Sequence, residues 1–299
     1  MNLFTIVHTI LGNPLKSTEK FPRIIPWMTP PHAGTPPILL APAGSLPAVE
    51  AVLSAGADAV YAGVRSLSRG GRTGLPAGEI GAAVRACRRA GARFHAAVNA
   101  VPTAGDVDPF LSAIGNLLDE GVAEVILNDP GVIPLVRRTF PSLPICASVG
   151  VSAMNPEDAR AYRELGADAI VLPSAVLPEE LPAIKEASGL RVEVFGWCRA
   201  EFLLHGKCGL TAYAVEGAGG ATVSPKRGGS CHLVCRRLPV PREPRSLEEE
   251  LSRWVDAGAD VFKIEGRDLS PAAAALLVGR FRRKLDSAVP GSGVREDRL

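Results

Sequence analysis

From Ile38 onward the chain alternates short apolar or β-branched runs with longer segments whose apolar positions recur at helical spacing. Eight of the runs read as strands: Ile38 to Ala41, Ala59 to Ala62, Arg93 to Val98, Glu124 to Leu127, Pro144 to Ser148, Ala169 to Leu172, Arg191 to Phe195, and Val261 to Ile264. Between them lie helical stretches rich in Ala, Leu, Glu and Arg, such as Asn155 to Leu165 and Ser246 to Ala257. Short, nearly continuous apolar strands belong to a parallel sheet covered by helices. With right-handed crossovers, eight βα units predict a (β/α)8 TIM-like barrel whose strand C-termini share one face. An open doubly wound sheet is the competing topology.

The phrase Gly-Ala-Asp-Ala begins at Gly56 and Gly166, and Gly-Ala-Asp-Val at Gly258, each just before a short apolar strand. A glycine closing one helix in the left-handed conformation, with an acid leading into the next strand, accounts for the recurrence. It supports a repeated βα unit.

Composition narrows the class further. Aromatic residues make up only 5% of the 299, and the 46% hydrophobic share is dominated by Ala, Val and Leu, which suits small strands under Ala-rich helices. Lys and Arg number 33 against 31 Asp and Glu, so no strong overall field favours nucleic acid, an anionic membrane or an acidic substrate. Residues 1–37 form an expected flexible N-terminal leader. Its apolar run, Leu3 to Leu11, is too short to span a bilayer and lacks a basic flank ahead of it, which makes a cryptic targeting segment the weaker reading. No membrane span is expected, and the cytoplasm is the default compartment. The barrel is expected over 38–288, with a disordered tail at 289–299.

The loops at the C-terminal ends of the strands would form the rim of a pocket. The polar groups there include Asn99, Asn128, Asp129, Ser148, Glu265 and Arg267. Asp129, a possible proton carrier, and Glu265 are the candidate catalytic residues. Asn99, Ser148 and Arg267 are candidate substrate contacts. The plainer reading is that such residues end strands and cap helices.

Four of the six cysteines, Cys198, Cys208, Cys231 and Cys235, fall in a Gly-rich insertion over 196–245, after the seventh strand. A barrel normally needs only a short loop there. Four thiolates on one metal centre would order the insertion, because metal binding supplies folding free energy that its few apolar residues do not. Disulfides are the alternative, and the lack of an export signal argues against them. Only Cys231-x3-Cys235 is tight and the Cys198 to Cys208 gap is wide, so spacing leaves iron-sulfur and zinc nearly level. A nucleophilic cysteine served by His205 or His232 is weaker, since neither an elbow nor an orienting acid marks one. Lys226, Arg227, Arg236, Arg237, Arg242 and Arg245 bracket the last two cysteines, either as a partner for anionic groups or as a solvated face. Cys87 and Cys146 read as small core hydrophobes.

Taken together, Pro42-Ala43-Gly44-Ser45, the run from Gly56 to Gly63, Asp129-Pro130-Gly131, Glu193-Val194-Phe195, Gly229-Ser230-Cys231 with Cys235-Arg236, and Lys263-Ile264-Glu265-Gly266-Arg267 resemble the collagenase-like peptidase family U-32. The resemblance runs from Ile38 to about Ala288. That family includes chains named as peptidases, tRNA and 23S ribosomal RNA hydroxylation proteins, and the paired proteins of oxygen-independent ubiquinone hydroxylation.

The resemblance implies a four-cysteine 4Fe-4S cluster, with prephenate as the source of the hydroxyl group. Cys208, Cys231 and Cys235 match three family ligands. Counting without gaps from Glu193 puts Glu201 where many members have their first ligand, and Cys198 lies three residues earlier, so either Cys198 completes the set or the site has three cysteines with Glu201 or an open iron. Ser174-Ala175 and Val149-Gly150 depart from the family pattern at two strand ends, which implies altered substrate contacts.

The expectation is therefore an iron-sulfur protein of oxygen-independent hydroxylation, acting on a quinone precursor or an RNA base. Cys198, Cys208, Cys231 and Cys235 would hold the cluster, with zinc as the runner-up. A small-molecule substrate, prephenate among the candidates, and a second U-32 family subunit are the expected partners. RNA is not excluded, although the near-neutral charge and the lack of an extra C-terminal domain lean away from it. The alternatives are a collagenase-like peptidase and a non-catalytic, cluster-bearing partner subunit. Hydrolysis has little support, since no His-Glu-x-x-His, Gly-x-Ser-x-Gly or paired aspartates occur.

Overall fold

The computed structural model describes residues 36–68, 74–199 and 243–288, together with the backbone of 203–204 and 207–208. Most of the expected leader, the tail, and Glu201, Cys231 and Cys235 lie outside the described residues.

Eight parallel strands close into a barrel: β1 Ile38–Ala43, β2 Ala59–Val64, then, after a short β3 at Gly74–Leu75, β4 Arg93–Ala97, β5 Glu124–Leu127, β6 Ile145–Ala147, β7 Ala169–Val171, β8 Arg191–Cys198 and, beyond three short strands, β12 Val261–Ile264. β1 pairs in parallel with both β2 and β12, which seals the ring. Among the described residues eight α-helices alternate with the strands: α1 Leu46–Ser54, α2 Ile80–Arg89, α3 Val107–Asp119, α4 Val132–Thr139, α5 Pro156–Glu164, α6 Leu181–Ser188, α7 Leu251–Asp256 and α8 Pro271–Ala288. Local signals set several helix starts. Ser45 Oγ accepts the Ala48 N–H, Asn155 Oδ1 accepts the Asp158 N–H, and a proline opens the first turn of α1 and of α5.

The core has two shells. Outward-facing strand residues such as Leu39, Val60, Phe94, Val125 and Phe262 pack under the helices. Leu40, Ala59, Tyr61, Ala97, Ile126, Cys146, Ala169, Val171 and Val261 fill the barrel interior. Period-two alternation decides the shell, and both faces of each strand are buried.

The Gly-Ala-Asp repeat does more than end helices. Gly56, Gly166 and Gly258 all have positive φ, at 93°, 104° and 91°. The aspartate two residues on then accepts a backbone N–H from the neighbouring strand: Asp58 from Leu39 at 2.9 Å, Asp168 from Ile145 at 2.9 Å and Asp260 from Val192 at 2.7 Å. A helix supplies a cation to each carboxylate, from Arg282, Arg137 and Lys185 respectively. The repeat is thus a latch at the N-terminal face of the barrel, opposite the face where ligands bind in this architecture.

Strand extents differ from expectation in one consequential place. Instead of ending at Phe195, β8 runs on to Cys198, and β11 (Arg245–Ser246) pairs with it antiparallel, Arg245 opposite Cys198. The register shifts between Lys263 and Ile264 on the neighbouring β12, an irregularity that β8 absorbs as it lengthens. The insertion therefore leaves from Cys198 and returns through a paired stem rather than opening at Gly196. Within it, β9 (Leu203–Leu204) and β10 (Lys207–Cys208) form a two-stranded antiparallel pair.

Candidate functional site

A cavity of about 450 Å3 opens at the C-terminal mouth of the barrel, lined by Tyr61, Ala97, Asn99, Ile126, Ser148, Val149, Val171, Phe195, Arg199, Lys263, Glu265, Arg267 and Asp268. Four of the residues expected at the mouth therefore meet around one space: Asn99, Ser148, Glu265 and Arg267. Asp129 does not line it. Its Oδ1 instead accepts the N–H groups of Gly131 and Val132 at 2.8 and 3.1 Å, which starts α4.

Glu265 faces the cavity but is already committed, because its Oε2 accepts the backbone N–H of Arg199 at 2.6 Å. The Arg199 guanidinium makes two hydrogen bonds to Asp268, both 3.0 Å. That pairing holds Asp268 below the usual aspartate range and raises Arg199 above the usual guanidinium value. Both acids of the loop after β12 thus fasten the first residue beyond Cys198 to the cavity wall.

Arg267 is different. Its Nη1 is buried without a hydrogen-bond partner among the described residues, and so is Ser68 Oγ. A Cβ placed on Gly63 would stand 2.5 Å from that hydroxyl and 2.8 Å from that nitrogen, so only glycine lets the two approach strand β2.

Beneath the cavity lies a belt of buried charge that was not anticipated from the sequence. His95 Nδ1 is 3.1 Å from Glu124 Oε1, and Arg191 donates to Glu124. Arg191 also approaches Glu193 at 3.7 Å, and Lys263 donates to Glu193 at 3.0 Å. Glu124 and Glu193 are 0% exposed, so each charge is met by a partner rather than by water. Burial alone would raise the Glu124 carboxyl, but Arg191 and His95 outweigh it and hold it well below the glutamate range. For Lys263 burial favours the neutral amine, and Glu193 reverses this, leaving the ammonium ion above its ordinary value. Burial pushes the Tyr61 phenol up to about 12 and the Cys146 thiol well above its usual range. Both stay protonated.

The ligand atoms of His95, Glu124 and Glu193 lie within 4.8 Å of one another. Arg191 already bridges the two carboxylates and supplies the positive charge that a metal ion would bring. A signal for the belt was available in the chain: polar residues at alternate positions, Arg191 and Glu193 or Arg93 and His95, in strands with no solvent face.

Of the four expected cluster ligands, Cys198 is 1% exposed at the tip of β8 and Cys208 falls in β10. No helix among the described residues is long and apolar enough to cross a membrane.

Residues 44–239 match the model of Peptidase family U32. Curated relatives include tRNA hydroxylation protein P1 of Bacillus subtilis, 26% identical across 84% of this chain and 63% of the relative. Also similar are tRNA hydroxylation protein P of Escherichia coli, 29% identical over 67% of this chain and 43% of the relative, and a Porphyromonas gingivalis collagenase, 24% identical over 78% and 61%. The chain thus spans less than two thirds of the length of these relatives. Among solved structures, the U32 peptidase Mk0906 superposes with a TM-score of 0.54 at 19% identity, covering 79% of this chain and 95% of that one, a likeness of fold.

Proposed function

The chain belongs to peptidase family U32, and from that premise we propose that it is an iron-sulfur protein of oxygen-independent hydroxylation, acting on an RNA base or a quinone precursor. Relatives named for hydroxylation of tRNA, and one named 23S rRNA 5-hydroxycytidine C2501 synthase, support the reaction class. The observation that carries the reading is local. Arg199, the residue after Cys198, lines the same cavity as Asn99, Ser148 and Arg267, so the cysteine segment begins on the cavity wall.

In this reading Cys198, Cys208, Cys231 and Cys235 hold a 4Fe-4S cluster, which would supply single-electron chemistry at the mouth. The remaining roles belong to side chains. Arg267 and Ser148 hold a small hydroxyl donor, prephenate being the donor that fits the family. Asn99 hydrogen-bonds its oxygens. Glu265 and Asp268 keep Arg199, and with it the root of the cysteine segment, against the substrate. The buried belt excludes water from the floor.

The test is deletion of the gene in its native host, with profiling of modified nucleosides and of quinones. Loss of one hydroxylated species, restored by the wild-type gene but not by Cys208→Ser, is the expected result. The relative named collagenase motivates the second reading. Unchanged profiles, together with cleavage of gelatin by the anaerobically purified protein, would establish peptide hydrolysis instead.

A further inference from the structure

We propose that Lys263 is a catalytic residue of the mouth cavity, an ammonium ion that contacts an anionic oxygen group of the ligand, and that Glu193, Arg191 and Glu124 are positioning residues behind it. This rests on the functional reading of the cavity and deepens it by naming the ligand's charge and the group that meets it.

The geometry of the ammonium is the first support. Lys263 is 5% exposed, yet its side chain is part of the cavity lining. It has three N–H donors, of which one is directed at Glu193 Oε2 at 3.0 Å. Another side of the charge rests over the Tyr61 ring, 4.7 Å from the centroid, and Tyr61 is pinned there because its hydroxyl donates to the Ile264 carbonyl at 3.0 Å. Because Lys263 lines the cavity, the donor capacity left over is within reach of a ligand there.

The placement of uncommitted donors gives the same direction. In the belt, Glu124 and Glu193 are matched by Arg191 and Lys263, so the floor is neutral. At the rim Arg199 sits between two carboxylates, 3.0 Å from Asp268 and 3.9 Å from Glu265, so the charges of Arg199 and Arg267 equal those of the two acids, and Glu265 is already engaged by Arg199. Arg267 has no anionic partner within bonding distance among the described residues, its Nη1 being buried and unbonded. A ligand placed between Lys263 and Arg267 therefore meets two cationic donors in surroundings that are neutral overall, an arrangement that suits the oxygens of a small organic anion. A purely structural role is a poor explanation for the belt, since branched apolar residues fill such barrels at no desolvation cost. Nor is Lys263 a Schiff-base nucleophile, a task that needs the neutral amine.

The probe is malonate, with its neutral diamide malonamide as control, titrated into the full chain labelled with 15N at lysine Nζ. Malonate is expected to shift one Nζ resonance saturably, that resonance being missing from Lys263→Met, while malonamide leaves it in place. Because Lys263→Met strands Glu193 and threatens folding, the decisive variant is the pair K263M with E193Q, which removes opposite charges together. That pair is expected to fold and to bind malonate about tenfold or more weakly, equivalent to about 1.4 kcal/mol. Malonate that never saturates, malonamide that binds equally, or a paired variant that binds like the wild type each overturns the proposal. None of these measurements depends on iron or on hydroxylation, so a chain that fails the proposed function can still pass them.

Discussion

Lys185 Nζ lies 2.6 Å from Asp260 Oδ1, and the other oxygen of that carboxylate accepts the Val192 N–H at 2.7 Å. One side chain thus ties α6 to the N-terminal ends of β8 and β12. Asp260→Ala leaves a buried N–H without an acceptor and is expected to cost about 2 to 3 kcal/mol in denaturant unfolding. Asp260→Asn keeps an accepting oxygen and should lose less than half as much. Equal losses would show that the latch works by charge alone.

The eight strands were legible because each carries a short run of mostly apolar, buried positions, and the Gly-Ala-Asp turns gave the unit its period. The latch itself was not, since the cation for Asp58 comes from Arg282, more than two hundred residues away. Asn99, Ser148, Glu265 and Arg267 could be found from their place just beyond a strand's C-terminal end. The same criterion misassigned Asp129 to the pocket, because an acid that caps the next helix has the same position in sequence as one that faces a ligand. Lys263 and Glu193 were legible as members of motifs but not as inward positions of facing strands.

Acid titration should expose the buried belt. The Glu124 carboxyl is held below its unfolded value, so its contribution is present at neutral pH and above the unfolded value of about 4.3, and is lost as pH falls toward the folded value. Below that point wild-type stability should drop more steeply than that of Glu124→Gln. Parallel slopes from about pH 6 downward would mean that the belt is not ionised as described. Glu124→Ala, which strands the Arg191 charge, should cost about 3 to 5 kcal/mol at neutral pH.

Gly63→Ala tests the edge of the cavity without touching its charges. The new methyl must displace both Ser68 Oγ and Arg267 Nη1. The fold should persist with a loss of about 1 kcal/mol, while malonate binding weakens. Unaltered binding would place Arg267 outside the ligand's reach.

The pair of Arg199 and Asp268 is half-exposed and should contribute less than about 1 kcal/mol to stability. Asp268→Asn is therefore expected to unfold almost like the wild type. Its effect should appear in faster loss of iron from the reconstituted protein, because Arg199 anchors the root of the cysteine segment. Iron retained at the wild-type rate would reduce the clamp to a surface contact.

The proposed chemistry stands or falls with what the cysteines hold. Anaerobic reconstitution of the full chain, with iron and acid-labile sulfide measured on the same sample, is the direct test. Equal amounts of iron and sulfide are expected, with thiolate-to-iron absorbance that disappears in Cys208→Ser, Cys231→Ser and Cys235→Ser. Zinc bound without sulfide, or iron unaffected by those three substitutions, would contradict it.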